Sequence, residues 1–183
     1  MTVSIAGPRT GGVPLDLAAL LVEAGAASAA DVERALERQR QAGGALDTAL
    51  LELELLDEGT LLGFLARASG LPPGPVDAEP DPTLRGAIPA RVAERHGLAP
   101  LRVEGNALTV LAAHPLDLAA LDELSFMLSL RVVPHVAPEW RVRSLLARLH
   151  GAALAPRFAA LAARAGGEDE PPLTFSFGLA DPE

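Results

Sequence analysis

The chain has 183 residues, of which 49% are apolar, carries a formal net charge of -9, and contains neither cysteine nor lysine. That suffices for one medium domain or two small ones with real cores. It excludes disulfides, thiol nucleophiles and cysteine-based zinc sites, a P-loop lysine or Schiff-base chemistry, and makes nucleic acid an unfavourable partner, since Arg141, Arg143 and Arg148 form the sole dense basic group.

Residues 1–13 read as a flexible arm: Gly11 and Gly12 follow no apolar strand and belong to no phosphate-loop motif. The arm also lacks the apolar core of a signal peptide, and no apolar run reaches the ~18 residues of a membrane span. A cytoplasmic protein without direct membrane insertion is expected.

Residues 14–71 contain a duplication. Leu17-Ala-Ala-Leu-Leu-Val-Glu-Ala-Gly25 returns 29 residues later as Leu46-Asp-Thr-Ala-Leu-Leu-Glu-Leu-Glu54, each copy running on into a second amphipathic stretch. Leu17, Leu20, Leu21 and Ala24 recur at helical spacing before Gly25. Ser28 and Asp31 make a weak capping box ahead of Val32, Ala35, Leu36 and Gln39, in a helix ending near Gly43-Gly44. Its other face, with Glu33, Arg34, Glu37, Arg38 and Arg40, reads most simply as a solvated surface. The second copy predicts a helix over 46–53, then Asp57 as the N-cap of a helix carrying Leu61, Leu62, Phe64 and Leu65 up to Gly70.

Five prolines and three carboxylates between Pro72 and Pro82 predict a stiff, solvated linker. Residues 83–151 then form a second unit. After the Asp81-Pro82 cap signal comes a short helix from Ile88-Pro89 to His96-Gly97. Leu98–Val103, a Glu104-Gly105-Asn106 turn and Ala107–Ala112 make a hairpin. Leu118, Leu121, Leu124 and Leu128 line a helix, Arg131–Val136 is a strand, and Pro138 opens a helix with Val142, Leu145, Leu146 and Leu149 inward. The fold class is therefore α+β: a helical repeat of two helix–turn–helix units followed by a small α+β domain with a three-stranded sheet.

Residues 152–183 hold a further helix over about 154–165 and an acidic tail. Within the tail, Leu173-Thr-Phe175-Ser-Phe177-Gly-Leu179 alternates strictly and carries two of the chain's five phenylalanines. That suits equally a strand on the chain's own sheet and a short motif, with Phe175 and Phe177, that extends a partner's sheet.

The repeat at Leu20–Gly25, the hairpin sequence Leu101–Val110 and the following His114-Pro-Leu-Asp-Leu-Ala-Ala-Leu-Asp-Glu-Leu124 resemble the N-terminal region of type II secretion and type IV pilus assembly ATPases, over roughly residues 13–151. Part of that region is called the MshEN domain, a name the resemblance attaches to the helical repeat at 14–71. In that family each repeat can bind cyclic di-GMP through an Arg-Leu-Gly triplet, a later glycine and a distal glutamine. Carried over, the arginine positions are Asp16 and Ala45, the leucines Leu17 and Leu46, the first glycines Ala18 and Asp47, the second glycines Gly25 and Glu54, and the glutamines Gln39 and Ala68. Beyond the leucines, only Gly25 and Gln39 match. An aspartate in place of a phosphate-facing arginine reverses the Coulomb attraction, and a side chain in place of glycine blocks the approach of the backbone. The resemblance therefore implies a kept fold with a degenerate dinucleotide site, so no cofactor is expected, and a divergent cyclic di-GMP receptor is the alternative.

Relatives continue into a catalytic domain with a Walker lysine, which is missing here, so no nucleotide hydrolysis is expected. His96, His114, His135 and His150 have no metal-ligand spacing, Asp122 and Glu123 point apart on a helix, and no serine lies in a G-x-S-x-G elbow. The expected function is a non-catalytic adaptor or regulatory module that contacts another protein, such as a component of a secretion, pilus or motility machine. Candidate contact residues are Arg34, Arg38, Phe175, Phe177 and Trp140, the last of which reads first as core packing and second as a binding anchor.

Overall fold

The computed structural model describes residues 16–166. Within them the expected α+β order is found. The repeat consists of α1 (Leu17–Glu23), α2 (Ala29–Ala42), α3 (Leu46–Glu52) and α4 (Glu58–Ser69). The duplication extends to single hydrogen bonds. Ala26 N–H donates to Leu21 O at 2.9 Å and Leu55 N–H to Leu50 O at 3.0 Å. Ser28 Oγ caps α2 through Asp31 N–H at 3.1 Å, as Asp57 Oδ1 caps α4 through Thr60 N–H at 2.9 Å. Leu17, Leu21, Val32 and Ala35 of one copy meet Leu50, Leu61 and Leu65 of the other in a single core, and each fully buried leucine contributes about 1.5–3 kcal/mol.

The second unit runs α5 (Ala90–His96), β1 (Leu98–Glu104), β2 (Ala107–Ala112), α6 (Leu118–Leu128), β3 (Arg131–Val136) and α7 (Glu139–His150). β1 and β2 are the expected hairpin, paired Leu98 to Ala112 through Glu104 to Ala107. β3 lies parallel to β2, so the sheet is mixed, in the order β1-β2-β3. A parallel neighbour needs a crossover, which α6 supplies. Leu98, Leu108, Val110, Leu124, Val142 and Leu145 form its core.

The outer edge of β3 is closed to strand addition. Arg131 and Ala137 direct their N–H groups to Asn106 and Ala112 of the β2 side, so the even-numbered residues face outward. Of these, Val132 N–H reaches Ser125 Oγ at 3.3 Å, Pro134 has no N–H, and Val136 N–H binds Pro72 O at 2.9 Å.

Residues 72–82 are mostly exposed, as their proline and acid content predicts, but they are tied to the second unit along their length rather than spanning freely between two units. Proline removes a donor and leaves the carbonyl, and these carbonyls and the remaining amides are used. Pro72 O and Gly74 N–H pair with Val136, Arg148 Nη2 donates to Ala78 O at 2.9 Å, Arg141 donates to Val76 O, and Asp81 N–H reaches Leu101 O. Ala78 is buried in the sheet core. The segment is a strap along the second unit, ending in a single 3-10 turn at Pro82–Leu84.

The two units are also not separate. Val136 and Trp140, from the sheet unit, belong to the core of the helical repeat, and α8 (Pro156–Gly166) adds Leu161 to the same core. The expected tail helix begins at Pro156, which suits the first helical turn. Phe175 and Phe177 lie outside the described residues, as does the expected arm at 1–13.

Candidate functional site

A helix N-terminus presents amides without intrahelical acceptors, and the two short helices of the repeat meet that need differently. In the first copy Asp16 caps α1, its Oδ1 accepting from Ala18 N–H at 3.0 Å. In the second copy Ala45 has no side chain to do this, and Glu139 Oε2, from the first turn of α7, accepts Ala45 N–H at 2.7 Å. Of the two positions to which the resemblance assigns arginine, one thus carries and the other meets a carboxylate already engaged with the helix end.

Glu139 is half of a reciprocal pair. Asp47 Oδ2 accepts the backbone N–H of Glu139 at 3.0 Å, capping α7 in turn. The Thr48 hydroxyl lies between the two carboxylates and can donate to Glu139 Oε2 at 2.9 Å or to Asp47 Oδ1 at 3.2 Å. Asp47 is 1% and Glu139 6% exposed. Burial, reinforced by the Glu139 charge and opposed by the Glu139 N–H and Thr48, pushes the Asp47 carboxyl up to about 7. Arg143 Nη2 approaches Glu139 Oε1 at 3.4 Å and supplies the compensating charge.

Gly44 makes the clasp possible: at φ +80° it is left-handed, and a Cβ there would fall 2.8 Å from Glu139 Oε2. Gln39 Nε2 donates to Gly44 O at 2.9 Å, so this retained motif glutamine braces the turn between α2 and α3. From α8, Arg157 covers the same turn, donating to Ala42 O, Gly43 O and Glu52 Oε1, each at 2.9 Å. The second copy of the surface is thereby roofed by α7 and α8.

The second glycine positions show the backbone reason for glycine there. Gly25 is left-handed at φ +65°, and Glu54 adopts the same conformation at φ +54° despite its side chain. Such a residue costs about 1–2 kcal/mol, while the exposed Glu54–Arg164 ion pair at 2.7 Å returns little. Glu54→Gly is therefore expected to stabilise the chain by about 1 kcal/mol, seen as a higher urea midpoint; an unchanged or lower midpoint would refute the strain.

The remaining positions are structural. Leu17 and Ala68 are buried, and Ala18 and Leu46 are half-buried. Arg34 pairs with Asp31 on the exposed face of α2, whereas Arg38 Nε bridges to Glu52 Oε2 of α3 at 2.8 Å. Trp140, offered as a binding anchor, is only 5% exposed and is a core residue, with the Arg141 guanidinium 4.4 Å from its ring. Beside it a cleft of about 410 Å³ between the α3–α4 turn, α7 and α8 carries Glu54, Asp57 and Glu58 on its rim. His114 lies close enough to Asp16 to feel its charge, while burial holds the imidazole below its ordinary value. Among the described residues no group of three or more histidine or carboxylate side chains is placed to hold a metal, and no helix is long and apolar enough to cross a membrane.

Sequence reasoning missed Glu139, Thr48 and Arg157. One signal was available: Asp47 precedes Leu50 and Leu51 by three and four residues, the spacing of one helix face, which marks it as inward.

The fold and the duplicated helix ends define the chain's class as an α+β module of the kind found at the N-terminus of pilus and secretion motors, rather than a catalytic ATPase domain. The MshEN domain family matches residues 70–156, the strap and the sheet unit; the repeat at 14–71, to which the resemblance attaches that name, lies almost wholly outside the match. The chain is 35% identical over 143 residues to the type IV pilus assembly ATPase PilB of Thermus thermophilus, covering 74% of this chain and 16% of that protein. It is 29% identical over 135 residues to PilB of Myxococcus xanthus, covering 73% of this chain and 24% of that one. It thus spans a quarter or less of these relatives. A solved structure of MshE with cdg, cyclic di-GMP, is 31% identical and superposes with a TM-score of 0.54, over 73% of this chain and 98% of that one. The chain belongs to the MshEN family of N-terminal regions of type IV pilus and secretion ATPases.

Proposed function

We propose that this chain is a non-catalytic adaptor or regulatory module that works by protein–protein contact in the cytoplasm, with its dinucleotide surface degenerate. The observation that carries this reading is the fate of the motif positions. Asp16 caps its own helix, Ala45 and Asp47 are tied to Glu139, Glu54 pairs with Arg164, and Gln39 braces Gly44. The groups that would recognise a doubly negative dinucleotide are carboxylates, or are spent on internal bonds. A phosphate brought to either helix end meets like charge.

The second reading, a divergent cyclic di-GMP receptor, is favoured by the similarity to MshE with cdg. Calorimetric titration with cyclic di-GMP separates the two. No saturable heat is expected at ligand concentrations up to about 100 μM, and a Kd of about 1 μM or tighter, about -8 kcal/mol, would overturn the degenerate-site proposal. The adaptor role is tested by crosslinking and affinity capture from the native host. Reproducible recovery of a secretion or pilus component supports it, and failure to recover any such component under conditions that capture a control complex would refute it.

A further inference from the structure

Between α5 and α6 lies a groove of about 430 Å³ whose lining includes Arg91, Val92, Arg95, Leu124 and Met127 together with Glu123 and His96. Nine of the fourteen arginines among the described residues are ion-paired, at positions 34, 38, 40, 102, 141, 143, 148, 157 and 164. Of the others, Arg85 donates instead to Leu149 O, Arg67 lies over Phe64, and Arg131 has no carboxylate partner among the described residues. Arg91 and Arg95 have no such partner among the described residues, although they stand one turn apart on a seven-residue helix where like charges repel. His96 is already paired with Asp117 at 3.2 Å. Met127 of α6 lines the groove and is exposed, and its neighbour Phe126, 89% exposed, and Leu118 are exposed on the same helix. Exposed apolar side chains of α6 near two cations that lack a carboxylate partner among the described residues suit an occupant that is both aromatic and anionic.

The chain itself contains such a segment. Residues 167–183 carry Glu168, Asp169, Glu170, Asp181 and Glu183 with no basic residue, around Leu173, Phe175, Phe177 and Leu179. The segment leaves α8 at Gly166, and its 17 residues extend to about 58 Å, enough to cross a module whose radius of gyration is about 15 Å. The outer edge of β3, one of the two sheet edges to which an alternating segment could add, has no free N–H to offer. We propose that the α5–α6 groove receives the chain's own C-terminal segment, Phe175 and Phe177 covering Phe126 and Met127 and the carboxylates of Asp181 and Glu183 meeting Arg91 and Arg95. The tail then competes with any partner of that face.

Because the full chain has no cysteine, Ala180→Cys provides a single attachment point for a nitroxide in the otherwise unaltered protein. In its two-dimensional amide NMR spectrum, the signals of Val92, Arg95 and Met127 should be lost while those of α2 persist. The signals should return in about 0.5 M salt, where screening acts within a few ångströms, and in Arg91→Glu/Arg95→Glu. Adding Asp181→Arg/Glu183→Arg to that variant should remove them again. The salt titration stands by itself should the charge-reversed variant fail to fold. Uniform loss, loss centred elsewhere, or insensitivity to salt overturns the proposal. So does loss that appears when isotope-labelled chain without a nitroxide is mixed with nitroxide-bearing chain, since the occupant is then a second copy.

Discussion

Asp47→Asn should hold its stability above neutral pH where the parent chain loses it. The folded protein keeps a proton on Asp47 up to about pH 7, whereas the unfolded chain releases it near its ordinary value of 3.8. Between those values the folded state binds more protons, so stability falls as pH rises. The contribution is full below about pH 4 and lost as pH rises through about 7. From pH 5 to pH 8 the loss amounts to about 2–3 kcal/mol. Asparagine removes it while leaving an oxygen for Glu139 N–H and an amide for Thr48. Other groups act in the opposite sense at lower pH: Asp57, bonded by Thr60, and Glu52, whose burial is outweighed by Arg157 and Arg38, are held below their ordinary values and lose their contribution on acidification. Urea unfolding at pH 5, 6, 7 and 8, followed by Trp140 fluorescence, should show the two proteins diverging upward in pH. Parallel curves would mean that Asp47 is ionised in the fold and that the clasp is an ordinary capping contact.

Trp140→Ala should lower stability by about 3–5 kcal/mol, a fall of roughly 10–15 °C in Tm for a module of this size. The ring is buried where α7 meets the helical repeat, so truncation opens a cavity at the joint and loosens the first turn that carries Glu139. Arg34→Ala, on the exposed face of α2, should stay within about 0.5 kcal/mol of the parent. Circular dichroism melts of the three proteins decide the matter. A Trp140→Ala protein with an unshifted melt would return Trp140 to the role of a surface anchor and would contradict the shared core.

Most elements are legible in the residues alone. The duplicated leucines, the Ser28 and Asp57 caps and the glycines at helix ends are local signals whose spacing selects helix, and the alternation around Glu104-Gly105-Asn106 selects a hairpin. The strap at 72–82 is not legible in this way, because composition reports what a segment lacks, here amide donors, and not which distant N–H groups its carbonyls accept. Trp140 reads first as a core residue, yet which core it joins is beyond the sequence. It packs into the repeat that precedes it by about seventy residues rather than into its own unit.

The site follows the same division. That Asp16, Asp47 and Glu54 are acidic and Ala45 small is a property of the sequence, and their standing at arginine or glycine positions of a dinucleotide-binding repeat is what the resemblance implies and what we propose. Only the tertiary structure decided what those residues do instead, because a buried carboxylate takes its protonation state from neighbours far along the chain. Asp47 meets Glu139 across 92 positions and Arg157 reaches the α2–α3 turn across 115. Periodicity records which face of a helix turns inward. The partner it finds there depends on packing, which places two helix ends opposite each other and leaves each to be capped by the other's carboxylate.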